Sequence, residues 1–189
     1  MMFLEKDEAT VEAMIAQAVE RFADDEQMLA FEGFYYTEKG DYSRALKIVK
    51  RGVLIAKKSG NDKLRSQWLG YIGDTYHMMG QEMKSFMAYA DALHYDQNNV
   101  PVLNNYAYYL SLTGRGLDKA LAMSELAISL EKSNATYIDT YAWILHLMGR
   151  NEEAKRVMLR ALSLDGQCDP DILAHYGDIL WALGEKFMA

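Results

Sequence analysis

Five glycines constrain this chain more than any other feature. Gly40, Gly80, Gly114, Gly149 and Gly184 are separated by 40, 34, 35 and 35 residues. Each follows a stretch with helical apolar spacing and precedes another, the place where a helix C-cap needs a positive φ. Seven residues before each glycine stands a small residue: Gly33, Gly73, Ala107, Ala142 and Gly177. Four before stands a large one: Tyr36, Tyr76, Leu110, Leu145 and Leu180. Five or six after comes a further small residue (Ala45, Ser85, Ala120, Ala154, Ala189), and seven beyond that Gly52, Ala92, Ala127 and Ala161. The phrases "YAYYLSLTGR" at 106–115 and "YAWILHLMGR" at 141–150 are two copies of this register.

The order small, large, turn, small, small suits two antiparallel helices whose backbones approach at the small residues while the large ones fill the adjoining gaps. Thirteen glycines but only two prolines agree with a helical chain. A helix–turn–helix repeating about every 34 residues resembles the tetratricopeptide repeat (TPR) family. The segments "WLGYIGDTYHMMGQ" and "AHYGDILWALGEKFMA" carry the resemblance best. It implies an all-α fold: a right-handed superhelical solenoid of antiparallel helix pairs, with residues 1–189 as a single array. The units fall at 9–25 (half), 26–65, 66–99, 100–134, 135–169 and 170–189 (half). The family's Trp position is filled by Leu29, Leu69, Leu103, Ile138 and Leu173, and its Pro position by Lys57, Gln97, Lys132 and Gly166. Asn99, Asn134 and Asp169 mark helix starts instead, as good N-cap residues. The 26–65 unit has six extra residues, which predicts longer helices around "AKKSGNDKLRS".

A net charge of −7 argues against nucleic acid as the main partner, because phosphate binding needs a large basic surface. No apolar run approaches the roughly 20 residues of a membrane span, which excludes insertion by a helix. "MMFLEKDEATVEA" has acids where a secretory signal needs a long apolar stretch. That gives a cytoplasmic expectation for a complete chain and leaves the cell envelope open for a fragment. Both ends fall in mid-repeat, and solenoid ends need polar caps. Val11, Met14, Ile15 and Val19 at one end, and Phe187 and Met188 at the other, lack obvious cover. The expectation is a segment of a longer bacterial array, the alternative an edge that self-associates.

In the family, first helices line a concave groove. Carried over position by position, the resemblance implies a groove centred on Phe34, Tyr71, Asp74, His77, Asn105, Tyr108, Asp139, Trp143, His146 and Asp178, with Phe31, Glu38, Gln67, Asn104, Ser111, His175 and Trp181 also on its groove positions. This set is aromatic and acidic, with no Lys or Arg. A clamp for a C-terminal carboxylate needs cations there, so that ligand mode is rejected. The groove should take a neutral or basic protein segment, anchored on Tyr108 and Trp143. Against this, any one aromatic at helical spacing is more often core than anchor. Tyr36, Tyr76, Tyr106 and Tyr141 are structural by register, whereas Tyr108 and Trp143 lie off it and read as surface. The basic run Arg44, Lys47, Lys50, Arg51, Lys57, Lys58, Lys63 and Arg65 reads as a solvated outer face.

No catalytic set, metal site or cofactor site emerges. His77, His94, His146 and His175 show no i, i+4 pair, and Cys168, the single cysteine, has no partner in sequence. The expected function is a non-catalytic protein–protein interaction scaffold. The alternatives are a spacer or self-assembly segment, or a regulatory module of a larger enzyme.

Overall fold

The computed structural model describes residues 8–22, 25–164 and 169–185. Among them lie ten α-helices and no strand: α1 (Glu8–Arg21), α2 (Glu26–Glu38), α3 (Tyr42–Ser59), α4 (Asp62–Met78), α5 (Glu82–Tyr95), α6 (Val100–Leu112), α7 (Leu117–Leu130), α8 (Ala135–Leu147), α9 (Asn151–Ser163) and α10 (Pro170–Ala182). Contacts divide the chain into two compact units, Met1–Asp96 and Gln97–Ala189. In the first, α1 packs on α2, and α2 to α5 pack each on the next. In the second, α6 to α10 pack each on the next, and α8 also touches α6 and α10.

Local chemistry sets the helix ends. All five register glycines have positive φ, between 67° and 80°. At Gly80 the turn closes through its own N–H to His77 O at 2.8 Å and Gln81 N–H to Tyr76 O at 2.9 Å. These bonds satisfy carbonyls the helix end would leave bare. Asn99, Asn134 and Asp169 cap as expected, their side-chain oxygens accepting from backbone N–H groups of the first turn. Asp25, Asp41 and Asn61 do the same. The longest helices are α3 with 18 residues and α4 with 17, as the six extra residues predicted. Asn61 starts α4 by accepting from Leu64 N–H at 3.1 Å, so the unit break drawn at 65/66 lies inside that helix.

Two apolar cores follow, one in each unit. The first gathers Leu29, Leu46, Ile48, Val49, Trp68 and Ile72. The second gathers Ile138, Leu145, Met158, Ile172 and Ile179 with Ala142, Ala154 and Ala161. Tyr36, Tyr76 and Tyr141 pack against these cores, and Tyr106 is buried, as the register requires. Three of these rings carry a cation from the next helix: Arg44 over Tyr36, Lys84 over Tyr76 and Lys119 over Tyr106, at 5.2, 5.5 and 4.4 Å.

Two expectations are corrected. Trp68 in the middle of α4 and Ile172 in the first turn of α10, not Leu69 and Leu173, are the fully buried residues. Both neighbours are apolar, and a step of one residue turns about 100° around a helix, so the packed helix decides which is covered. Trp68 faces Gly52 of α3, Ile172 faces the core under α9, and Leu173 is left 47% exposed. Val11 and Ile15 are buried, since α1 lies on α2, while Met14 remains exposed. Phe187, Met188 and Cys168 lie outside the described residues.

Candidate binding clefts

Some of the expected groove residues line two clefts, one in each unit, and the others do not. In the first unit a cleft of about 450 Å³ opens between α2 and α4 over the side of α3. Phe34 and Tyr71 form its walls and Asp74 and Glu38 its polar end, with Met78 beside them. Phe34 is 64% exposed and Tyr71 47%, large values for aromatic residues. Asp74 is fixed from behind: the Tyr89 hydroxyl of α5 donates to its Oδ1 at 2.6 Å. Tyr89 is fully buried, because Gly73 leaves room for its ring. His77 does not line this cleft.

In the second unit a pocket of about 200 Å³ lies among α6, α8 and α10. Asn104, Asn105, Tyr108, Asp139 and His175, all carried-over groove positions, line it together with Asp169 and Asp171. Asp139 is only 4% exposed, and His175 Nδ1 stands 3.0 Å from both its carboxylate oxygens. An ionised carboxylate only accepts, so the imidazole Nδ1–H donates. Burial pushes the Asp139 carboxyl above the ordinary range, the His175 hydrogen bond pulls it back, and Asp169 and Asp171 add to the rise. The Tyr108 phenol is also pushed up, first by burial and then by Asp139 and Asp171.

Trp143 departs from its expected place as a free surface anchor. Its ring stacks on His175 with centroids 4.1 Å apart and planes at 20°, and it lies 5.0 Å from the His146 ring. Its indole Nε1 is buried without a hydrogen-bond acceptor. Tyr108 is half-buried at 6.2 Å from His175, so it keeps a free edge. His146 Nδ1 sits 2.7 Å from Asn151 Oδ1, and Asp178 is exposed on α10 outside the pocket. The Asp139–His175 pair was missed in the sequence because its members are 36 residues apart. That distance is itself the available signal: one repeat plus one residue places them on neighbouring first helices.

Neither cleft has Lys or Arg in its lining. The cations gather elsewhere, on the exposed face of α3. Arg44, Lys47 and Arg51 edge a separate cavity of about 300 Å³ with Glu32, and Arg44 pairs with Asp41 at 3.1 Å. Arg65 lies on α4 instead, its guanidinium 3.9 Å over the Tyr95 ring. Among the described residues no group of three or more His, Cys, Asp or Glu could hold a metal ion, and no helix is long and apolar enough to cross a membrane.

Paired helices with small residues at the crossings and glycine turns between them define a helix-pair repeat protein. Residues 135–168, covering α8 and α9, match the family model of the tetratricopeptide repeat. The chain is a protein of tetratricopeptide-repeat fold, as solved structures also show. BtubC from P. vanneervenii is similar at 16% identity with a TM-score of 0.78, over 96% of this chain and 84% of that one. MamA is similar at 16% identity and 0.65, over 85% and 84%. The first TPR domain of Spaghetti (RPAP3), solved with the HSP90 peptide SRMEEVD, is similar at 20% identity and 0.58, over 65% and 98%. No curated protein matches the chain in sequence.

Proposed function

We propose that the chain is a non-catalytic protein–protein interaction scaffold that holds a neutral or basic protein segment in its aromatic, acidic clefts. One observation carries this reading: in both units the space between first helices is lined by aromatic rings and carboxylates without a cation. Exposed Phe34 and Tyr71 supply apolar contact area, which dominates binding energy when a partner covers it. Asp74 and Asp139 are held in place by Tyr89 and His175, so little side-chain ordering remains to oppose binding. The similarity to a TPR domain solved with a peptide supports a peptide as the kind of ligand. That peptide, SRMEEVD, is net acidic, with three acidic residues to one arginine, and the lining of the clefts here favours the opposite charge.

Selection from a random peptide display library tests this directly. Enriched peptides should be neutral or basic with an apolar or aromatic residue, and Tyr71→Ala with Tyr108→Ala should lose them while keeping the wild-type melting curve. Enrichment of acidic peptides, or binding unchanged in the double variant, would sink the reading. The rival reading, a spacer that stacks on further repeats or another copy, draws on exposed Leu173 and Trp181 of α10. Sedimentation over a range of concentrations separates the two, since a chain that stays monomeric speaks against self-assembly.

A further inference from the structure

The pocket among α6, α8 and α10 is smaller and more polar than the first unit's cleft, and its chemistry is more selective. Three carboxylates line it, Asp139, Asp169 and Asp171, against one group able to carry positive charge, His175. Its lining therefore stays net negative whichever form the histidine takes. A second observation is independent of that charge. Asn104 is only 5% exposed and lines the same pocket; its Nδ2–H donates to Asn105 Oδ1 at 3.3 Å, while its own Oδ1 is buried with no donor. A buried acceptor left unsatisfied is costly and uncommon in a native fold. Asn104 shares the lining of this pocket with the buried Asp139 carboxylate, and both are groups that N–H donors satisfy.

We propose that this pocket is a subsite for one arginine side chain of the bound segment. The assignment rests on the scaffold reading above and names the residue that the second unit selects. About 200 Å³ accommodates the head of one side chain, not a helix. A guanidinium offers five N–H donors in a fixed plane, which can reach acceptors on more than one wall at once. Here the Asp139 carboxylate has about four lone-pair directions and gives only part of them to His175, the Asp169 and Asp171 carboxylates stand on the α10 side, and Asn104 lines the α6 side with its Oδ1 unsatisfied behind the surface. Tyr108 and Tyr109 line the pocket too, and aromatic faces suit the flat, weakly hydrated guanidinium. A lysine ammonium carries the charge but has fewer donors and holds its water more tightly. It should bind here, more weakly.

The test uses the whole chain and three small probes: Nα-acetylarginine amide, its citrulline counterpart and Nα-acetyllysine amide. Citrulline keeps the shape and loses the charge. The readouts are the NMR signals of the Trp143 indole N–H, stacked on His175, and of the Asn104 side-chain amide. Arginine should shift both signals saturably with a Kd on the order of millimolar, as a single side chain allows. Lysine should bind several-fold more weakly and citrulline at least about tenfold more weakly, the loss expected when a charge-assisted bond becomes a neutral one. Asp171→Asn, an exposed change at the pocket edge, should weaken arginine several-fold without altering the melting curve. Asp118→Asn, an exposed change on α7 outside the pocket, should leave arginine binding as it is. Equal affinity for arginine and citrulline, no saturable shift, or equal losses in the two aspartate variants would each overturn the subsite. If arginine fails while a selected peptide still contacts Tyr71 and Tyr108, only the subsite falls. If the peptide fails as well, the scaffold reading falls with it.

Discussion

The two units solve one packing problem with different residues. Nine positions after Gly40, Gly80, Gly114 and Gly149 stand Val49, Tyr89, Met123 and Met158, and in the first unit Val49 and Tyr89 face the small residues Gly33 and Gly73 of the preceding helices. In the first unit the contact at Gly73 is a ring: a Cβ added there would lie 2.4 Å from Tyr89 Cε1. Trp68 repeats the arrangement over Gly52, where a Cβ would lie 2.3 Å from the indole. In the second unit the small residues are Ala107, Ala127, Ala142 and Ala161, all fully buried, and the same large-residue register is filled by Met123 and Met158. Glycine with a ring and alanine with a thioether fill similar volume, and packing tolerates exchanges that conserve volume. The choice has a consequence for the clefts. Tyr89 has a hydroxyl and uses it to hold Asp74, so the first unit's core positions its own cleft carboxylate. In the second unit Tyr108 and Trp143 stand at the register position of Asp74, and the carboxylate of Asp139, four residues before Trp143, is held by His175, a residue of the pocket itself.

Truncating the two large residues should separate the units most. Tyr89→Ala should cost about 4 kcal/mol and Met158→Ala about 3, by urea unfolding, because a buried ring leaves the larger void. Equal costs would erase the distinction. Next, Gly73→Ala should cost about 2–3 kcal/mol through overpacking against Tyr89, whereas Ala142→Gly should cost about 1 through helix propensity. Adding Tyr89→Met to Gly73→Ala should restore much of the loss by rebuilding the second unit's solution. Failure of that rescue would show that volume exchange is not what relates the units. The helix caps provide a control, since they do not differ: Asn61→Ala and Asn134→Ala should each cost about 1 kcal/mol.

The smallest effect concerns pH. The folded chain holds the Asp139 carboxyl above its ordinary 3.8, so just above that pH the folded state keeps a proton that the unfolded state has released. Wild type should therefore lose stability, relative to Asp139→Asn, as pH rises through the interval between 3.8 and the raised value. His175, Asp169 and Asp171 face the same carboxyl, so the difference between the two proteins is the quantity to follow. A difference rising with pH would contradict the burial argument.

The turns and caps were legible in the sequence because they depend on local chemistry: a positive φ at Gly80, or the side-chain oxygen of Asn134, needs no distant partner. The small-residue register was legible for a related reason, since close helix approach admits few residue types. The choice of Trp68 over Leu69, and of Ile172 over Leu173, was not legible, because either apolar neighbour satisfies the pattern until the opposing helix is placed. Among the cleft residues, Tyr71, Asp74, Tyr108 and Asp139 were reached by position. What held the carboxylates was not, since Tyr89 lies 15 residues from Asp74 and His175 lies 36 from Asp139. Trp143 failed as a free anchor for the same reason: its stacking partner sits on another helix.

The most direct measurement is a residue-resolved NMR titration of the isotopically labelled chain with a peptide selected for binding. The account predicts shifts concentrated at Phe34, Tyr71, Asp74, Tyr108 and Asp139, with the basic face of α3 around Lys47 and Lys50 unmoved. Shifts concentrated on that α3 face, with both clefts silent, would contradict it.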